Sequence, residues 1–320
     1  MSVIDDLTLG SATIRQSIGV ANISQGFTGF DGILGLGPDR LTLNTLQNER
    51  NETIPTVTDV SCKSFLKLLS IHLPMLTDLP PPRYQNLAQQ GMIPSALVGI
   101  SIPLTTANTG TDAGSLDFGA PDTSQTTSAI NFVPITNTNP SSEFWGIDQS
   151  ITWVPHPKYN LKSPNQPYGL QRSYGDQKIP ILSTTAGIVD TGTTLLFVAT
   201  EAFNAYVNAT NATMDSATGM LVVNNATNLQ SLFFQMGSVG RTSLILISLP
   251  KLLFWHPMPP PFPLQNTLEF TANAQIFPRS LNEQIGGDNA STYLIMQDIG
   301  HGSGQGFDFN NGFTWLYVNL

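Results

Sequence analysis

The sequence predicts an all-β, turn-rich protein, and three observations carry that expectation. Glycine (27) and proline (23) are abundant, only 11% of residues are charged, and Ser, Thr and Asn are frequent, which favours strands joined by tight turns over helices. Short apolar, β-prone runs of strand length recur with turn residues between them. A hydrophobic share of 40% and a mean hydropathy of +0.01 are ordinary for a globular chain, and 320 residues suffice for one large domain or two lobes with a sizeable core.

Taken in order, Leu97-Val98-Gly99-Ile100-Ser101-Ile102, Ser115-Leu116-Asp117-Phe118-Gly119-Ala120 and Asn131-Phe132-Val133-Pro134-Ile135 each read as a strand. Phe144-Trp145-Gly146-Ile147 and Ile151-Thr152-Trp153 follow as two further strands. Ile188-Val189-Asp190-Thr191-Gly192-Thr193-Thr194-Leu195-Leu196-Phe197 is an apolar strand that runs into a polar Asp-Thr-Gly-Thr turn. The last strand is expected within Gly306-Phe307-Asp308-Phe309-Asn310-Asn311-Gly312-Phe313-Thr314-Trp315-Leu316.

Asp190 carries the sharpest functional signal. An apolar strand entering Asp-Thr-Gly-Thr is how half of an aspartic protease site is built, although Asp at a turn is the bland alternative for so short a string. The chemistry needs two carboxylates sharing one proton across a water, since like charges about 3 Å apart cannot both ionise. The motif occurs once in the sequence.

Phe30-Asp31-Gly32-Ile33-Leu34-Gly35-Leu36-Gly37 resembles the strand and turn that follow the flap in the N-terminal lobe of pepsin-like aspartic proteases, and Ile4-Asp5-Asp6-Leu7-Thr8-Leu9-Gly10 resembles the strand just past the flap. With Asp190 and its apolar flanks, these motifs identify the chain as similar to that family over nearly its whole length, and its disulfide-free, Ser/Thr-rich character resembles the basidiomycete branch. The resemblance implies a bilobal acid protease fold: residues 1–125 as an incomplete N-terminal lobe lacking the first Asp-Thr-Gly and the flap, and residues 126–320 as a nearly complete C-terminal catalytic lobe without its final strands.

The same resemblance assigns roles. Asp190 becomes the second catalytic carboxylate, positioned together with the substrate backbone by Gly192, Thr193 and Thr194, with Thr191, Asn311 and Gly312 supporting its loop. Phe30 and Ile33 match apolar residues of the primary specificity pocket, with plain core packing as the open alternative. Asn310 stands where the family places an apolar residue. The implied activity is acid endopeptidase cleavage of peptide or protein substrates, with pepstatin-like inhibitors for the full-length form, no cofactor, and a monomer that is secreted or vacuolar. Lacking the first Asp-Thr-Gly, the chain alone is expected to be inactive. A single-Asp pseudoprotease that binds peptides and a homodimer in which each copy donates Asp190, as in retroviral-type proteases, are the alternatives.

Two segments break the texture. Residues 60–85 and 239–265 each open on Val, whose codons begin GT, and close on Gln, which can be CAG, after runs of proline. Translated introns would read this way; genuine surface insertions are the other possibility. Joining Ser238 to Asn266 yields a hairpin with a polar turn. Both segments are expected to project from the lobes with few core contacts, because neither shows the period-two alternation of its neighbours.

Other chemistry finds little support. A net charge of -9, arising from scarce basic residues, argues against nucleic acid. Cys62 is the only cysteine, so no disulfide forms within the sequence. His72, His156, His256 and His301 offer no metal spacing. Ser303 lacks the frame of a nucleophile elbow, and Gly302, Gly304 and Gly306 do not make a dinucleotide fingerprint. The apolar run after Leu244 is interrupted by Pro250 and Lys251 and is too short to span a membrane. Met1-Ser2-Val3-Ile4-Asp5-Asp6 has neither the basic nor the apolar region of a signal peptide.

Overall fold

The computed structural model describes residues 2–23, 31–38, 41, 87–88, 90–95, 97–101, 114–120, 131–154, 178–237, 244–248, 251–255 and 266–317. Phe30 and the whole of segment 60–85 lie outside these residues. Among the described residues, seventeen strands follow in chain order: β1 (Ser2–Leu9), β2 (Ala12–Gly19), β3 (Val98–Ser101), β4 (Ser115–Phe118), β5 (Asn131–Pro134), β6 (Gly146–Trp153), β7 (Ile179–Val189), β8 (Leu196–Val198), β9 (Thr213–Met214), β10 (Leu221–Val223), β11 (Leu232–Met236), β12 (Leu244–Ser248), β13 (Lys251–Trp255), β14 (Asn266–Phe270), β15 (Thr292–Leu294), β16 (Met296–Asp298) and β17 (Phe309–Asn311). Two α-helices accompany them among the described residues, Thr200–Thr210 and Phe313–Tyr317. The expected strands at 97–102, 115–120 and 131–135 are present as β3, β4 and β5. The two expected at 144–147 and 151–153 are one strand, β6, entered through a turn at Phe144 and Trp145.

A seven-stranded sheet in the order β14-β11-β6-β7-β17-β8-β16 forms the body. In β6 the alternate residues Ile147, Gln149, Ile151 and Trp153 are buried, as period two requires of a strand with one face on a core. The helix Thr200–Thr210 turns Ala202, Phe203, Tyr206 and Thr210 inward, a stripe at helical spacing that meets the same core. There Tyr206 packs edge-on against Trp153 at 6.1 Å, and its hydroxyl donates to Gln275 Oε1 at 3.0 Å. Phe234 meets Phe270 and Trp315 edge-on at 5.5 and 5.7 Å. β1 and β2 form a separate hairpin over Ile14 and Leu87.

β11 and β14 pair directly, with Met236 opposite Asn266, which is the antiparallel pairing that a hairpin joining Ser238 to Asn266 would have. The expectation that residues 239–265 project from the fold is overturned for 244–248 and 251–255. These residues form β12 and β13, the hairpin at the middle of a five-stranded sheet ordered β4-β3-β13-β12-β5. β12 pairs with β5 over four residues, and β13 pairs with β3. The reason lies in the pattern sought: a nearly continuous apolar run lacks alternation, yet it is also how a central strand reads. This sheet takes strands from both sides of the boundary expected at residue 125.

Candidate active site

Asp190 leaves the end of β7, where Ala186, Gly187, Ile188 and Val189 are all buried. Its position is fixed by β17, which lies between β7 and β8, parallel to the first and antiparallel to the second. The Asp190 backbone N–H donates to the Asn311 carbonyl at 3.1 Å. From Asp190 the chain turns back toward β8 through Thr193, whose N–H donates to the Asp190 carbonyl at 3.3 Å.

The carboxylate is gripped on both oxygens. Gly192 N–H donates to Oδ1 at 2.8 Å, and the Thr193 hydroxyl donates to Oδ2 at 2.6 Å. Each oxygen thus has one donor from its own loop, which fixes the carboxylate plane and leaves further acceptor capacity on both. Thr191, Gly192 and Thr194 are exposed and Asp190 is half-buried, so the group is anchored from below and faces solvent.

Gly312 lies beneath the loop. A β-carbon placed on it would stand 2.3 Å from the Leu195 carbonyl oxygen and 2.5 Å from that of Thr193, so the loop rests directly on glycine backbone. The next residues tie it down: Phe313 N–H donates to the Thr193 carbonyl at 2.6 Å, while Thr314 donates to the Thr194 carbonyl from its N–H at 3.0 Å and its hydroxyl at 2.7 Å. Asn311, fully buried, exchanges two hydrogen bonds with the equally buried Gln149, at 2.8 and 3.2 Å, and so links β17 to β6 across β7.

The structure therefore brings together Asp190, Gly192, Thr193, Thr194, Asn311 and Gly312. Thr191 is exposed and makes no hydrogen bond among the described residues. Ile33 is 73% exposed, on a segment whose Leu36 carbonyl accepts from Trp145 Nε1 at 2.9 Å. The Trp145 carbonyl in turn accepts from Val189 N–H at 3.0 Å, which ties that segment to the residue before Asp190. Phe30 lies outside the described residues. Gln149 and Trp145 were not among the expected site residues. A glutamine at an inward position of an otherwise apolar alternation was the available signal for the first.

Among the described residues no group of three His, Cys, Asp or Glu could hold a metal ion. Among them too, no helix is long and apolar enough to cross a membrane.

A family model described as "Eukaryotic aspartyl protease" matches residues 1–244. Polyporopepsin of Irpex lacteus is 42% identical over 315 residues, covering 98% of this chain and 70% of that protein. The crystal structure of an aspartic proteinase from Irpex lacteus superposes with a TM-score of 0.70 at 40% identity, covering 98% of this chain and 71% of that one. With more than half of its length matched by the family and with Asp190 cradled as described, the chain belongs to the eukaryotic aspartyl protease family and is an aspartic endopeptidase of the pepsin-like type.

Proposed function

We propose that Asp190 is one carboxylate of the pair that performs acid hydrolysis of peptide bonds, and that Gly192, Thr193 and Thr194 position it and the substrate backbone. The observation that carries this reading is the double grip on Asp190, with Gly192 N–H at 2.8 Å and the Thr193 hydroxyl at 2.6 Å. A carboxylate so held can accept a proton from water without losing its orientation. The water oxygen then bonds to the peptide carbonyl carbon, and the C–N bond breaks as the amine takes up a proton. The reaction needs a second carboxylate that holds the shared proton. Asn311 and Gly312 hold the loop from beneath; Ile33, with Phe30, is assigned to the apolar specificity pocket, and Thr191 to the loop itself.

The substrate class is peptides or proteins, and statine-type inhibitors such as pepstatin are the expected ligands. Localisation is proposed as secreted or vacuolar, as the family resemblance implies. The 320 residues hold one Asp-Thr-Gly, so the polypeptide alone is expected not to cleave peptides; a monomer is proposed from the family resemblance. Joined to a segment supplying the other Asp-Thr-Gly and the flap, it should give pepstatin-sensitive cleavage of a denatured protein at acid pH, and Asp190→Asn should abolish it. Full turnover in Asp190→Asn would refute the role of Asp190. Pepstatin-sensitive cleavage by the 320-residue polypeptide alone would refute the need for the other half; a sedimenting dimer in that case would favour two copies each donating Asp190.

A further inference from the structure

We propose that Asn310 is a positioning residue for the Asp190 carboxylate, acting through the Thr193 hydroxyl. Asn310 stands at the centre of β17, in register with Ile188 of β7 and Phe197 of β8. Phe309 and Asn311 turn to the buried face, and Asn310, half-buried, turns to the other. Nothing in the strand pairing calls for an amide here, since both cross-strand neighbours are apolar.

Its two polar atoms are treated unequally. Nδ2 donates to Thr193 Oγ1 at 2.9 Å, whereas Oδ1 is buried with no hydrogen-bond partner among the described residues. A buried acceptor without a partner opposes folding, and an apolar side chain would avoid that cost. The amide thus sits at a net disadvantage to packing, and what it supplies is a donor aimed at the Thr193 hydroxyl.

That donor settles where the hydroxyl proton goes. A threonine hydroxyl has one proton, and Oγ1 lies 2.6 Å from Asp190 Oδ2 and 2.9 Å from Asn310 Nδ2. With the amide N–H pointing at Oγ1, the oxygen accepts from Asn310 and its proton is left to donate to Asp190. The opposite amide orientation would set two acceptors against one proton. The sequence Asn310 Nδ2–H to Thr193 Oγ1–H to Asp190 Oδ2 is therefore a directed relay, and it fixes the carboxylate plane from the side that Gly192 does not reach.

The inference takes its functional meaning from the reading of Asp190 above, but its test does not depend on catalysis. Infrared difference spectra of the 320-residue polypeptide, labelled with 13C at aspartate carboxyls and taken against Asp190→Asn at neutral pH, isolate the Asp190 antisymmetric carboxylate band. Thr193→Val should shift that band. Asn310→Leu should shift it in the same direction and no further, and the double variant should match Thr193→Val alone. Asn310→Asp, close to isosteric and so a safeguard should the leucine variant fail to fold, should also move the band, because its carboxylate competes for the hydroxyl proton. An unmoved band in both Asn310 variants, or shifts that add fully to that of Thr193→Val, would overturn the relay. Retained proteolysis in Asp190→Asn of the polypeptide joined to the other Asp-Thr-Gly would instead refute the catalytic reading and leave the relay standing.

Discussion

Gly312→Ala puts the support of Asp190 to a quantitative test. The added β-carbon would lie 2.3 Å from the Leu195 carbonyl oxygen and 2.5 Å from that of Thr193. Both are roughly 1 Å inside an ordinary van der Waals contact. Neither oxygen belongs to a flexible side chain, so loop and strand must separate. Overpacking of this kind costs about 1–3 kcal/mol. Separation also strains the bonds from Phe313 N–H to the Thr193 carbonyl (2.6 Å) and from Thr314 to the Thr194 carbonyl (3.0 and 2.7 Å), each worth about 1 kcal/mol net. Allowing for partial relaxation, the expected loss is about 3–5 kcal/mol, or ~6–10 °C in Tm at about 2 °C per kcal/mol for a chain of this size.

Urea titration followed by tryptophan fluorescence is the assay, because Trp315, three residues on, is 1% exposed and reports on this packing. Gly35→Ala is the control: nothing lies within 4 Å of its β-carbon position, and a change within about 0.5 kcal/mol is expected. A loss below about 1 kcal/mol in Gly312→Ala would show that the loop accommodates a methyl group, and that Gly312 does not set the height of Asp190 above β17.

Two further outcomes follow from the structure. Asp215 is held below the ordinary carboxylate value of 3.8, first by the Thr218 hydroxyl, against some desolvation, with the Ala217 and Thr218 N–H groups and the Tyr293 hydroxyl adding to the effect. Its folded value lies below its unfolded one, so its contribution is complete above 3.8 and fades as pH falls through the folded value; Asp215→Asn should therefore flatten the fall in stability below about pH 4, and an unchanged acid limb would contradict this. Deleting residues 239–265 should preserve or raise hydrogen-exchange protection in β11 and β14 while lowering it in β3 and β5; lost protection in β11 and β14 would refute the expectation. Closing the loop between them with two residues in place of 29 spans nearly four doublings of length, worth about 2 kcal/mol at about 0.6 each, and Gly237, at φ 95°, suits the first position of a type II′ turn.

The loop Asp190-Thr191-Gly192-Thr193 was legible because Gly192, Thr193 and, beneath them, Gly312 each do local work. Gly192 brings an N–H to the carboxylate, Thr193 adds a hydroxyl, and Gly312 permits contact that any β-carbon would block. Asn310 was legible only as a departure, since its partner, Thr193, is 117 positions away in the chain. The pairing of Gln149 with Asn311 was harder still, since they are separated by 162 positions and meet only once β6, β7 and β17 lie side by side. The hairpin of β12 and β13 was misplaced for a different reason. Its apolar run fits a central strand as well as a loop, and which of these it becomes depends on whether strands elsewhere offer it unpaired edges.

That dependence separates the two halves of the molecule. β11 and β14 close on one another in unbroken register, so the seven-stranded sheet has no need of the residues between them. β3 and β5, by contrast, meet only through β13 and β12. Among the described residues, the hydrogen bonds that orient Asp190, shared with Gly192, Thr193 and Asn311, and those by which Gln149, Asn310 and Phe313 steady these partners, all involve residues outside both suspect segments. Among the described residues, the hydrogen bonds around the Asp190 loop thus come chiefly from residues 145–153, 186–197 and 309–316. Whether residues 239–265 are present in the mature protein bears on how β3 and β5 are joined, while the hydrogen bonds to the carboxylate come from elsewhere.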